Sequence, residues 1–119
     1  MDKGTILLIE DDPSIASCLS EFLRQFDYEV LISSNGPQGI DIFSKNERII
    51  LAIIDYNILG GMNGLKVYEE LIKIRPVKAL FTSGSDVEVF KSDQVNLHNV
   101  PFLQKPVSLK KLLDIIKSL

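Results

Sequence analysis

Short, unbroken apolar runs recur along this chain and are separated by longer stretches of mixed polarity. The clearest runs are Thr5–Ile9, Ile49–Ile54 and Ala79–Phe81. A strand that is continuously apolar, rather than alternating, is typical of a parallel sheet covered on both faces. Two further strands are predicted over Tyr28–Ile32 and Val100–Gln104. The pattern therefore predicts a central sheet with a layer of helices on each side.

Stretches of helical length lie between these strands, with apolar residues at helical spacing. Asp12 is a suitable N-cap for the first helix, and Pro13 fits a first turn, where its missing N–H is not needed. Pro76 marks the end of the third helix. The predicted helices are Pro13–Phe26, Gly36–Asn46, Asn63–Arg75, Ser85–Asp93 and a last helix capped by Ser108.

Strands and helices thus alternate five times, which requires right-handed crossovers between parallel strands. Five strands in 119 residues suit an α/β, flavodoxin-like, doubly wound parallel sheet with the order 2-1-3-4-5 and five helices. We expect residues 1–119 to form a single domain. In this order strands 1 and 3 are neighbours, and a crevice opens at their carboxyl ends.

Two expectations concern individual side chains. Cys18 is the single cysteine and is expected to be a small buried apolar residue, since it has no disulfide partner within the chain. The third helix is expected to turn Leu65, Tyr68 and Ile72 towards the sheet, because they share one stripe.

Polar residues follow the strands at the edge where the crevice is expected. Glu10 and Asp11 follow strand 1, Asp55 follows strand 3, Ser83 ends strand 4 and Lys105 follows strand 5. Clustered carboxylates repel one another unless a divalent cation neutralises them, and all-oxygen ligands suit Mg²⁺. A hydroxyl and an ammonium opposite the cation complete a site that can hold a phosphoryl group on Asp55. A solvated acidic turn with a helix cap is the simpler alternative for the first acidic cluster.

Glu10-Asp11, Asp55, Ser83 and Lys105-Pro106 together resemble the signature of the receiver domain of two-component response regulators. The resemblance covers essentially the whole chain, and it implies that Asp55 is the phosphoacceptor. It also implies that Asp11 binds Mg²⁺ directly, that Glu10 acts largely through water, and that Asn57 offers its backbone carbonyl. The Gly60-Gly61 pair in the loop after Asp55, and the stretch Phe81-Thr82-Ser83-Gly84, are similar to receivers of hybrid sensor kinases. The chain is therefore expected to be either a stand-alone regulator or a part of a larger protein.

The resemblance further implies a switch controlled by phosphorylation. Ser83 is expected to move towards the phosphoryl group, and Phe102 to be the aromatic side chain that changes position with it. The expected phosphodonor is a histidine kinase or a histidine phosphotransfer domain. A downstream protein is expected to bind the surface formed by the fourth helix, the fifth strand and the last helix. The Lys105-Pro106 bond is cis in receivers, and the same is expected here.

Composition excludes several other classes. The chain is 45% hydrophobic and 24% charged, as in ordinary globular proteins, and its net charge of −3 argues against direct binding of nucleic acid. No segment approaches the roughly 20 apolar residues of a membrane helix, and the N-terminus lacks the layout of a secretory signal. A cytoplasmic location is therefore expected.

Three alternative functions remain. A hydrolase of the aspartyl-phosphate type needs a second acid two residues after its nucleophile, where this chain has Asn57. A flavin-binding module needs a phosphate loop after strand 1, where Glu10 and Asp11 would repel a phosphate. A degenerate receiver would act as a phosphorylation-independent protein-binding scaffold. The expected activity is thus not that of an enzyme, beyond catalysis of its own phosphorylation and dephosphorylation.

Overall fold

A computed structural model describes residues 3–57, 62–84 and 100–119 of the chain. Within them lie five strands: β1 Thr5–Ile9, β2 Glu29–Ser33, β3 Ile49–Asp55, β4 Lys78–Ser83 and β5 Phe102–Gln104. All pair in parallel, in the order β2-β1-β3-β4-β5. The predicted flavodoxin-like strand order is confirmed.

The described helices are α1 Pro13–Arg24, α2 Gly36–Lys45, α3 Gly64–Ile74 and the C-terminal helix α4 Leu109–Ser118. Each begins with a side-chain cap. Oδ1 of Asp12 accepts from the N–H of Ser14 at 2.8 Å, as predicted for α1. Ser108 caps α4 in the same way. These caps satisfy N–H groups that have no partner within the helix.

The sheet separates two apolar layers because successive strand residues point to opposite faces. On one face, α2 and α3 pack over alternate strand residues such as Leu7 and Ile54. On the other face, α1 and α4 pack over Leu8 and Ile53. These four strand residues are at most 1% exposed, so the central strands are covered on both sides.

Helix α3 is rotated relative to the sequence prediction. Its buried residues include Val67 and Leu71, whereas Leu65, Tyr68 and Ile72 are only partly buried. The predicted stripe therefore lies beside the inward face of the helix and not at its centre.

The prediction for Cys18 is wrong, because the residue is exposed. Its side chain lines an apolar groove of about 340 Å³ between α1 and the loop that joins β5 to α4, where Val107 and Leu109 form the opposite wall. Helix α1 also ends at Arg24, two residues before the predicted end. The fourth helix predicted over 85–93 lies outside the described residues, so it remains a prediction.

Candidate phosphoacceptor site

The site residues meet because parallel strands bring their carboxyl ends to one edge of the sheet. Ile9 pairs with Ile54, so Glu10 follows β1 beside Asp55, the last residue of β3. Ser83, the last residue of β4, pairs with Gln104, and this register places Lys105 at the same edge. Strand order and register therefore gather residues from four strand ends into one crevice.

Lys105 connects the two acids. Its Nζ lies 2.9 Å from Oδ2 of Asp55 and 2.7 Å from Oε1 of Glu10. The carboxylate side chains are almost completely buried, 4% exposed for Asp55 and 1% for Glu10, and the lysine side chain is 19% exposed. The Lys105-Pro106 bond is cis, as expected. The backbone N–H of Lys105 donates to the carbonyl of Ser83 at 2.7 Å, which ties the lysine to the end of β4.

The second oxygen of Asp55 faces the loop that follows β3. Oδ1 accepts a hydrogen bond of 3.0 Å from the backbone N–H of Asn57. Because Oδ2 faces Lys105, each oxygen of this carboxylate has a defined neighbour. The orientation of the candidate nucleophile is thus fixed by one backbone donor and one ammonium.

An acidic cluster in the crevice has the donor chemistry of a magnesium site. Glu10, Asp11 and Asp55 each offer one carboxylate oxygen, and these oxygens lie within 4.8 Å of one another. Oε1 of Glu10 is buried and, despite its contact with Lys105, makes no hydrogen bond of normal geometry. A hard divalent cation prefers such oxygens. The described residues therefore fit Mg²⁺.

Burial and charge shift the protonation of this pair. Burial raises the pKa of Glu10 to about 7, although the contact with Lys105 and the hydrogen bond from the N–H of Asp12 oppose the shift, and the negative charge of Asp55 adds to it. Burial also acts to lower the pKa of Lys105, but its contacts with Glu10 and Asp55 outweigh that effect and hold the pKa above its ordinary value. The ammonium consequently stays charged between the two acids.

Ser83 is completely buried, and its hydroxyl oxygen accepts a hydrogen bond of 2.8 Å from Nδ2 of Asn57. This contact of the Asn57 side chain was missed by sequence reasoning, which used only the backbone carbonyl of that residue. No local pattern indicates a side-chain contact across 26 positions. Phe102 lies partly buried beside Phe81, its partner in the register of β4 and β5.

A family model described as "Response regulator receiver domain" matches residues 6–117. Sensory transduction protein RegX3 of Mycolicibacterium smegmatis is 26% identical over 114 residues, covering 96% of this chain and 49% of that protein. Cyclic di-GMP phosphodiesterase of Thermotoga maritima is 27% identical over 110 residues, covering 91% of this chain and 28% of that protein. The chain therefore spans about half of the first relative and less of the second.

Solved structures show the same likeness. A response regulator receiver domain protein (CheY-like) from Methanospirillum hungatei JF-1 aligns with a TM-score of 0.85 and 28% identity, covering 97% of this chain and 91% of that one. The receiver domain of the hybrid histidine kinase CckA aligns with a TM-score of 0.81 and 27% identity, covering 97% of both chains.

Among the helices of the described residues, none is long and apolar enough to cross a membrane.

Proposed function

This chain belongs to the response regulator receiver domain family, and we propose that it is a two-component signalling switch that accepts a phosphoryl group on Asp55. Receiver domains are in general signalling domains and not enzymes with an external substrate. The switch extends over residues 1–119 as one receiver unit. The relatives named above are longer than this chain. Any activity of a larger protein that contains this receiver unit would therefore be a further proposal.

One observation supports the proposal above the others. The ammonium of Lys105 lies within 2.9 Å of Asp55 and 2.7 Å of Glu10, at the edge where β1, β3 and β4 end. A partly buried ammonium between two acids can first balance the charge of the carboxylates and then balance the charge of a phosphoryl group on one of them. Removing water from such a crevice strengthens this electrostatic effect.

The transfer step uses the carboxylate of Asp55 as nucleophile. One carboxylate oxygen attacks the phosphorus of a phosphohistidine, a P–O bond forms, and the P–N bond breaks. The phosphohistidine reacts with its other ring nitrogen protonated, so the electron pair of the broken bond stays on the nitrogen that carried the phosphoryl group and the donor leaves as a neutral histidine. Lys105 stabilises the negative charge on the phosphoryl oxygens, and Ser83 donates a hydrogen bond to one of them.

Glu10, Asp11, Asp55 and the backbone carbonyl of Asn57 are the residues that would hold Mg²⁺. Magnesium bound there supplies positive charge that offsets the charge of the acids and of the incoming phosphoryl group. Without it, the crevice carries more negative than positive side chains, and a phosphate donor is repelled. Phosphorylation is therefore expected to require the cation.

The phosphorylated state differs from the resting state at Ser83 and Phe102. Ser83 turns towards the phosphoryl group, and Phe102 moves inward into the space that becomes available. A downstream protein recognises the altered surface of β5, α4 and the helix predicted over 85–93. The phosphodonor is a histidine kinase or a histidine phosphotransfer domain, the two protein classes with which receiver domains interact.

Intact mass spectrometry after incubation with acetyl phosphate and Mg²⁺ tests the proposal. We expect the mass of one phosphoryl group to be gained by the native chain and by Asp114→Asn, which changes an exposed aspartate of α4. We expect no gain in Asp55→Asn, or in the native chain treated with EDTA. A folded native chain that gains no mass contradicts the proposal and favours a scaffold that binds partners without phosphorylation.

A further inference from the structure

Asn57 contacts both residues on which the proposed switch depends. Its backbone N–H donates to Oδ1 of Asp55 at 3.0 Å, and its side-chain Nδ2 donates to Oγ of Ser83 at 2.8 Å. We propose that the amide of Asn57 is a positioning group that holds the Ser83 hydroxyl ready to donate to a phosphoryl oxygen on Asp55. This inference rests on the proposed function and goes beyond the metal-binding carbonyl that the family resemblance assigns to Asn57.

The contact between Asn57 and Ser83 has a defined donor and a defined acceptor. A hydroxyl has one hydrogen to donate and two lone pairs that accept, whereas an amide NH₂ group can only donate. In its bond with Nδ2 of Asn57, Ser83 must therefore act as acceptor, and that bond does not use its hydrogen. Phosphoryl oxygens are acceptors and need a donor opposite them. The bond from Asn57 therefore uses Ser83 as an acceptor, which is compatible with donation from the Ser83 hydroxyl to a phosphoryl oxygen.

The backbone of Ser83 is held in place by the sheet, so the contact with Asn57 acts on the position of its hydroxyl. The residue is fully buried at the end of β4, and its carbonyl accepts from the N–H of Lys105 at 2.7 Å. Pairing with β5 fixes the strand on one side, and pairing of Asp55 with Thr82 fixes it on the other. A bond that holds the acceptor side of the hydroxyl before the reaction limits the turn that Ser83 then has to make towards the phosphoryl group.

The positioning role can be separated from metal binding because the two use different parts of Asn57. Substitution of the side chain removes Nδ2 but leaves the backbone carbonyl and the N–H that bonds to Asp55. Asn57 is exposed at the surface of the crevice, so truncation of its side chain opens no core cavity. Asn57→Asp has nearly the same shape but presents acceptors only, which would draw the Ser83 hydrogen away from the phosphoryl group.

A double-mutant cycle tests the inference on the full chain. The single variants Asn57→Ala and Ser83→Ala and the double variant are compared by their rates of phosphorylation with acetyl phosphate at saturating Mg²⁺. Asn57→Ala is expected to lower the rate about threefold to tenfold, the size of one lost hydrogen bond. In the Ser83→Ala background the same change is expected to have less than about a twofold effect, because the group it positions is gone. Asn57→Asp is expected to lower the rate at least as far as Ser83→Ala.

Each result has a defined meaning. Equal effects of Asn57→Ala in both backgrounds, or no effect in either, would overturn the positioning role. So would a weaker Mg²⁺ affinity, measured by NMR titration without phosphodonor, that accounts for the whole loss in rate. Failure of the native chain to gain a phosphoryl group would instead overturn the proposed function, and intact mass records that outcome separately. Beryllofluoride, a mimic of the phosphoryl group, is expected to rank the variants in the same order by its affinity.

Discussion

Nζ of Lys105 lies 2.7 Å from Oε1 of Glu10, so an amine that follows β5 pairs with an acid that follows β1. The contact spans the carboxyl edge of the sheet, and the same ammonium also contacts Asp55. Three charged groups with two negative charges and one positive charge leave the crevice short of positive charge. Burial of Glu10 in this crevice makes the stability of the metal-free protein sensitive to pH.

Glu10 should make the metal-free protein less stable as the pH rises. Its pKa is raised from an ordinary value of 4.5 to about 7 in the folded protein, chiefly by burial. The folded state therefore holds this proton more tightly than the unfolded state, and the stability it contributes is fully present below about pH 4.5 and lost as the pH rises through about 7. The loss is on the order of 3 kcal/mol, and urea denaturation in EDTA measures it.

Glu10→Gln provides the control for this pH effect. The amide cannot ionise, so the decline between pH 5 and pH 8 should be much smaller in this variant. Saturating Mg²⁺ should reduce the decline in the native chain, since a cation stabilises the ionised acid. An equally steep decline in Glu10→Gln would assign the pH dependence to other groups.

Gly64→Ala should destabilise the loop that carries Asn57. A Cβ at this position would lie 2.8 Å from the Cα of Tyr56, and the N–H of Gly64 donates to the Tyr56 carbonyl at 2.9 Å. The backbone must shift to admit the methyl group, at about 1–3 kcal/mol. Chemical denaturation measures the loss, and slower phosphorylation by acetyl phosphate is expected to accompany it. Gly84→Ala is the matched control, since a Cβ there would meet no heavy atom within 4 Å in the part of the chain that the structure describes, its chain neighbours aside.

Arg75→Lys should loosen the contact between α2 and α3. Nη2 of Arg75 donates to the carbonyl of Phe43 at 2.8 Å and to that of Asn46, and the guanidinium carbon lies 3.9 Å from the centroid of the Phe43 ring. Lysine can neither stack as a planar group nor present a fork of donors. We expect a loss of about 1–3 kcal/mol in thermal or chemical unfolding. Lys73→Met, which removes an exposed ion pair, should change stability by less than ~1 kcal/mol.

The strand order and the gathering of the site could be predicted from sequence because both follow from backbone rules. Apolar runs predict strands covered on two faces, and parallel strands bring their carboxyl ends together. Once Glu10, Asp55 and Lys105 are placed after such strands, their proximity needs no knowledge of side-chain packing. The structure adds the distances between them, which depend on the side-chain rotamers.

The parts that could not be predicted depend on tertiary contacts. Helix α3 buries Val67 and Leu71 most deeply and begins at Gly64, which lies close to Tyr56, and the sequence pattern does not show these tertiary contacts. Cys18 lies at a position that would be covered if the loop after Pro106 packed closely on α1, but a groove separates them. The bond from Asn57 to Ser83 likewise joins the loop after β3 to the end of β4 through side-chain geometry that a single sequence does not encode locally.

Phe102→Trp should report the switch directly, because the native chain contains no tryptophan. Phe102 is partly buried opposite Phe81 in the register of β5 and β4, so an indole at this position starts partly exposed to water. Addition of acetyl phosphate and Mg²⁺ should shift its emission to shorter wavelength as the ring moves inward, and the shift should be absent when Asp55→Asn is added. Phe22→Trp on α1, in the layer on the opposite face of the sheet, should show little change under the same conditions. If the mass of the Phe102→Trp variant shows phosphorylation but its indole emission stays constant, Phe102 is removed from the switch while Asp55 remains the phosphoacceptor.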